Sequence, residues 1–104
     1  MNKLVLISGS SRGLGAAMAK SFSEAGYQVA INYFNSEKEA KHLSENLSNQ
    51  SHAFKCDVSK KDEVTAMLEE IKEVFGYHPS ILINNAMTSY VFNGDDRKDA
   101  ESIS

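Results

Sequence analysis

At 104 residues, with 41% hydrophobic and 24% charged side chains, the chain has the composition of one ordinary globular domain or a piece of a larger one. A net charge of −3 with interspersed signs excludes the basic surface of a nucleic-acid binder and a basic membrane patch. Cys56 is the only cysteine, and His42, His52 and His78 are scattered without ligand spacing, so neither a disulfide framework nor a metal site is expected.

Apolar strand-like runs alternate with amphipathic helical stretches, the pattern of a parallel α/β sheet. The first strand is expected over residues 3–8, around Leu4-Val5-Leu6-Ile7. That apolar run is far too short for a secretory leader or a membrane span, which makes the cytoplasm the default address. A first helix opens at the glycines that follow, places Leu14, Met18, Phe22 and Ala25 on one face and stops at Gly26. The second strand is expected over 27–33. Ser36-Glu37-Lys38-Glu39 reads as a capping box opening a second helix that buries Ala40, Leu43 and Leu47. The third strand covers 52–55 and runs into Cys56-Asp57-Val58. Ser59 is the expected cap of a third helix, in which Val64, Met67, Leu68, Ile71, Val74 and Phe75 recur at helical spacing before Gly76. Pro79 precedes a fourth strand over 81–85, and from Thr88 to Ser104 the chain is polar without an apolar period.

Between the first strand and the first helix lies Gly9-Ser10-Ser11-Arg12-Gly13-Leu14-Gly15, with three of the six glycines of the chain. Strand, glycine turn and helix together cradle the phosphates of a dinucleotide. Glycine lets the backbone turn tightly and approach the pyrophosphate, and the free N–H groups and dipole of the helix N-terminus favour the anion. No Gly-Lys-Ser/Thr follows, so the loop is not that of a P-loop nucleotidase.

Three motifs then stand in order at the carboxyl ends of expected strands: Ser8-Gly9-Ser10-Ser11-Arg12-Gly13-Leu14-Gly15, Cys56-Asp57-Val58 and Asn84-Asn85-Ala86. Together they resemble the T-G-x-x-x-G-x-G loop, the x-D-V adenine contact and the N-N-A-G motif of the short-chain dehydrogenase/reductase family. The Ser-Arg-Gly of the loop and Ile31-Asn32-Tyr33 closing strand two are similar to the bacterial 3-oxoacyl-acyl-carrier-protein reductases. Ser8 stands for the usual threonine and keeps its hydroxyl, while Met87 replaces the last glycine of N-N-A-G.

The resemblance implies a three-layer α/β/α, Rossmann-type doubly wound parallel sheet in the order 3-2-1-4, truncated after its fourth strand. Residues 1–87 would form the dinucleotide-binding domain, and 88–104 a polar tail leading toward a C-terminal half that this chain lacks. It also implies cofactor roles for Gly9, Ser11, Arg12, Gly13, Leu14 and Gly15 in the loop, with the Leu14 amide donating to the pyrophosphate. Asn32 and Tyr33 would lie at the adenosine ribose, Asp57 would accept from the adenine amine and Val58 would offer backbone groups and an apolar contact. Asn84, Asn85 and Ala86 would line the adenosine ribose.

Charge argues for NADP(H) over NAD(H). An NAD site places an acid at the end of strand two for the ribose 2′-hydroxyl. Here that position is Tyr33, between Asn32 and Phe34, and Arg12 is available for a 2′-phosphate. The family's general acid is a tyrosine with a lysine four residues later. Four residues after Tyr27, Tyr33, Tyr77 and Tyr90 come Ile31, Glu37, Ile81 and Gly94, so no catalytic residue is assigned. The expectation is the cofactor-binding portion of a reductase acting on a 3-oxoacyl thioester by hydride transfer, inactive alone, with an acyl carrier protein as partner of the full-length parent. A non-catalytic nucleotide-binding or assembly module fits the missing tyrosine and lysine equally well. An open fourth-strand edge points to a homo-oligomer.

Overall fold

The computed structural model describes residues 3–9 and 13–85. Four parallel strands, β1 (Leu4–Ile7), β2 (Gln28–Tyr33), β3 (Ser51–Lys55) and β4 (Ile81–Ile83), form one sheet in the order β3-β2-β1-β4. The expected order is the observed one. Helices α1 (Gly13–Glu24), α2 (Glu37–Glu45) and α3 (Lys61–Phe75) make the crossovers. The register aligns Ile7 with Ile31 and Ile83, and Ile31 with Ala53.

Side chains alternate between the two faces of a strand, and both faces of this sheet are covered. Val5, Ile7, Val29, Ile31 and Tyr33 pack with Ala19 of α1 and with Ala40 and Leu43 of α2. Leu4, Leu6, Ala30 and Phe54 pack with Val64, Met67, Ile71 and Phe75 of α3 on the other side. The physical reason is the direction of travel. The chain moves one way from β1 to β3, then reverses to β4. A right-handed crossover must therefore put α3 on the face opposite α1 and α2. Each apolar side chain buried this way stabilises the fold by about 1.5–3 kcal/mol relative to exposure.

Four local expectations are corrected. In α1 the residues buried against the sheet are Gly15, Ala19 and Ser23, with Met18 and Phe22 half-buried and Leu14 69% exposed. Small side chains let that face of the helix lie close to the sheet, so the face shifts by one residue from the one the larger apolar residues suggested. Ala25 lies beyond the helix and is exposed. Ser36 does occupy the N-cap position of α2, but its ψ of 57° is not the extended geometry that aims a hydroxyl at the first turn, and it makes no side-chain cap. Lys60, not Ser59, precedes α3, because the Ser59 hydroxyl is taken by the Asp57 carboxylate at 2.6 Å. Val74 is 42% exposed, outside the buried stripe of α3.

Candidate functional site

The reversal of strand order falls between β1 and β4, and the crevice outside their carboxyl ends is where an open α/β sheet offers a ligand site. Ser8 and Gly9 follow β1 there, and Asn84 and Asn85 follow β4. Hydrogen bonds clamp the two turns together. The Ser8 N–H donates to the Ile83 carbonyl at 3.0 Å, and the Asn85 N–H donates to Ser8 Oγ at 2.9 Å. Asn85 Nδ2 donates to the Gly9 carbonyl at 3.2 Å, and Ser8 Oγ lies 3.4 Å from both the Ile83 carbonyl and Asn84 Oδ1. A buried serine thus serves where the motif usually has threonine, since the hydroxyl is the group the clamp uses.

Gly9 and Gly13 have φ of 61° and 60°, conformations that strain any residue with a Cβ. A Cβ on Gly13 would meet no atom of the described residues within 4 Å. The first turn of α1 carries no acid, whereas α2 has Glu37 and Glu39 in its first turn and α3 has Asp62 and Glu63. Acids there offset the positive end of a helix dipole. Only in α1, among the three, is that end left for an outside anion.

At the end of β3, Asp57 Oδ1 accepts from the Ser59 N–H at 3.0 Å and from its hydroxyl. These bonds hold the carboxyl below its ordinary pKa, so it is ionised at neutral pH. Both bonds go to one of the two carboxylate oxygens. The Asp57 N–H is held by Glu63 Oε1 at 2.9 Å. Glu63 escaped the sequence reading, although an acid at the third position of a helix often reaches back to a preceding N–H. Val58 is 7% exposed and its side chain lies in the cluster against α3, so only its backbone can serve a ligand.

Asn32 is 2% exposed, and Tyr33 packs among the residues facing α1 and α2. Asn32 Oδ1 accepts from the Gly9 N–H at 3.2 Å, and its Nδ2 donates to the Cys56 carbonyl at 3.1 Å. Both side chains are thus buried at the carboxyl end of β2. Burial pushes the Cys56 thiol up to about 11, helped by the neighbouring carboxylates Glu63 and Asp57, which keeps it a protonated core residue at neutral pH.

Of the residues named from sequence, Gly9, Gly13, Leu14, Gly15, Asn84 and Asn85 lie at the carboxyl ends of β1 and β4, and Asn32 links Gly9 to Cys56, the residue before Asp57 and Val58. Ser11, Arg12, Ala86, Met87 and the 88–104 tail lie outside the described residues. Among the described residues no cluster of three His, Cys, Asp or Glu could hold a metal, and no helix is long and apolar enough to cross a membrane.

Comparison with known proteins agrees with this architecture. The family model described as short chain dehydrogenase matches residues 3–103. A 3-oxoacyl-acyl-carrier-protein reductase of Staphylococcus epidermidis is 39% identical over 89 residues, covering 83% of this chain and 36% of that protein. An acetoacetyl-CoA reductase of Paracoccus denitrificans is 36% identical over 86 residues, covering 83% of this chain and 34% of that one. The crystal structure of a dehydrogenase/reductase from Sinorhizobium meliloti superposes with a TM-score of 0.76 at 29% identity, covering 81% of this chain and 34% of that one. The chain thus spans about a third of the length of the relatives it matches.

Proposed function

The chain belongs to the short-chain dehydrogenase family, and from that premise we propose that it binds a nicotinamide dinucleotide in the crevice between β1 and β4, as the cofactor-binding portion of a carbonyl reductase. The observation that carries the reading is the acid-free N-terminus of α1. It opens from two left-handed glycines at the switch point. Backbone N–H groups of that turn would hold the pyrophosphate. Asp57 would accept from the adenine amine, and the Asn84–Asn85 turn would face the adenosine ribose. The dinucleotide, when bound, supplies the hydride chemistry. This chain's own part is to bind it, orient it and offset its charge.

NADP(H) is the preferred form in this reading, with Arg12 at the 2′-phosphate, and a 3-oxoacyl thioester is the substrate class that the reductase relatives suggest. An acyl carrier protein would be the partner of a longer protein of this kind, and the cytoplasm its address. Titrating NADPH into the 104-residue chain, followed by the blue shift of reduced-nicotinamide fluorescence, tests the cofactor reading; absence of saturable binding overturns it. With acetoacetyl thioester added, no NADPH oxidation above a protein-free blank is expected, because no tyrosine has a lysine four residues on. Turnover in a preparation free of host reductase would refute this and bring a different general acid into view.

The fourth strand bears on assembly. Among the described residues β4 pairs only with β1, and Leu82 is 43% exposed beside a 370 Å³ groove lined by Leu6, Leu68, Pro79 and Ile81. A parallel strand whose outer edge has no partner among the described residues, and which carries apolar surface, is a template for association. A second copy of this chain is the proposed occupant. Sedimentation should show an oligomer that Leu82→Lys returns to monomer. A monodisperse wild-type monomer melting cooperatively above roughly 45–65 °C would overturn it.

A further inference from the structure

We propose that Asn32 is a positioning residue, a buried amide that fixes the phosphate turn after β1 relative to the adenine-binding turn after β3 while touching no part of the dinucleotide. The inference rests on the dinucleotide reading above. At the end of strand two, an exposed Asn32 would be a natural ribose contact, but its 2% exposure removes it from any ligand. Its bonding capacity is also spent inside the protein. Oδ1 takes the Gly9 N–H at 3.2 Å. One Nδ2 hydrogen goes to the Cys56 carbonyl at 3.1 Å, and the other has the Tyr33 carbonyl at 3.4 Å and Met67 Sδ at 3.7 Å. The orientation of the amide is forced, because Gly9 offers a donor and Cys56 an acceptor; the flipped amide would set like against like at both ends.

The position in the sheet explains why a side chain is needed. Strand pairing ends at Ile7 with Ile31 on one side and at Tyr33 with Lys55 on the other. The Cys56 N–H still donates to the Tyr33 carbonyl at 2.9 Å, so the main chain ties β3 to β2 at this point, and the Asn32 side chain adds the link from β1 to β3 across β2. Gly9 belongs to the turn that would hold the pyrophosphate, and Cys56 immediately precedes Asp57. One amide therefore joins directly the two surfaces that would meet opposite ends of the same adenosine diphosphate. Misplacing either would weaken binding without removing any ligand contact.

The test uses the 104-residue chain, with Asn32→Asp and Asn32→Leu. A carboxyl group is nearly isosteric with the amide. Protonated, it accepts from Gly9 and donates to Cys56; ionised, it sets negative charge against the Cys56 carbonyl and loses the donor. Cys56, Asp57 and Glu63, the titratable groups nearby, are common to wild type and variant, so the ratio of their NADPH dissociation constants isolates residue 32. That ratio should be close to one near pH 5 for Asn32→Asp and rise about tenfold or more by pH 8, while Asn32→Leu weakens binding about tenfold or more at every pH. A role in stability alone predicts the opposite: folded variants that bind as wild type, with a pH-independent ratio of one. Amide spectra of ligand-free Asn32→Asp give an independent readout. The Gly9 and Asp57 signals should move together as pH rises, and failure to do so overturns the positioning role. Failure of wild type to bind NADPH would overturn the dinucleotide reading instead, with the amide spectra still deciding whether Asn32 joins the two turns.

Discussion

Replacing Ile31 with alanine is expected to destabilise the chain by about 2–5 kcal/mol, read as a shift of the urea midpoint by circular dichroism. Ile31 is fully buried at the centre of β2, with Ile7 beside it on β1 and Ala53 on β3. It belongs to the cluster under α1 and α2 with Val5, Val29, Ala40 and Leu43. Its neighbours are fixed on both sides by the strand ladder, so they cannot collapse into the space a truncated side chain leaves. The cavity then adds to the lost transfer energy. Domains of this size have only about 5–15 kcal/mol in total, so one such change takes a large share. The exposed Val74 supplies the control, with alanine there expected within about 0.5 kcal/mol of wild type. A loss below about 1 kcal/mol at Ile31 would show that the sheet relaxes around the gap.

Removing the Arg12 side chain is expected to weaken NADP(H) binding by about 1.5–3 kcal/mol, the range of a charge-assisted hydrogen bond, and to leave NAD(H) nearly unchanged. That corresponds to roughly a tenfold to hundredfold rise in Kd. An NAD-selective pocket needs a carboxylate at the end of β2, and here that end holds the buried Asn32 and Tyr33 and then Phe34. The nearest acid following, Glu37, is paired with Lys41 at 2.8 Å on the surface of α2. With no acid there to repel a 2′-phosphate, the guanidinium of Arg12 is proposed to set the preference. NADP(H) affinity should also fall more steeply with salt than NAD(H) affinity. Calorimetric titration of both cofactors against Arg12→Ala decides the matter; equal losses would remove Arg12 from the selection.

Much of the architecture was legible in the residues because it rests on short-range physics. Leu4-Val5-Leu6-Ile7, Val29-Ala30-Ile31 and Ile81-Leu82-Ile83 are apolar runs that only strands of a sheet can bury on two sides. The spacing of Val64, Met67, Ile71 and Phe75 fixed the buried face of α3, and Gly76 closes that helix with φ of 92°. The glycines at 9, 13 and 15 marked the turn at the sheet's switch point.

What the residues left open depended on competition between groups brought together only by folding. Ser59 is a good cap in isolation, yet a nearby carboxylate is the stronger acceptor for its hydroxyl and draws it away from α3. Leu14 is apolar and in phase with Met18, yet α1 meets the sheet through the smaller Gly15, Ala19 and Ser23, and Leu14 stays in solvent beside the turn. Asn32 looked like a ligand contact because it ends a strand next to the site. Its burial and its two partners, Gly9 at 23 residues' separation and Cys56 at 24, come from the pairing of three strands that no local pattern encodes. Periodicity and turn chemistry determined which elements form and where the candidate site lies. The tertiary structure decided which polar side chains there remain available to a ligand, because a hydrogen-bonding group goes to the strongest partner within reach, and reach is set by the fold.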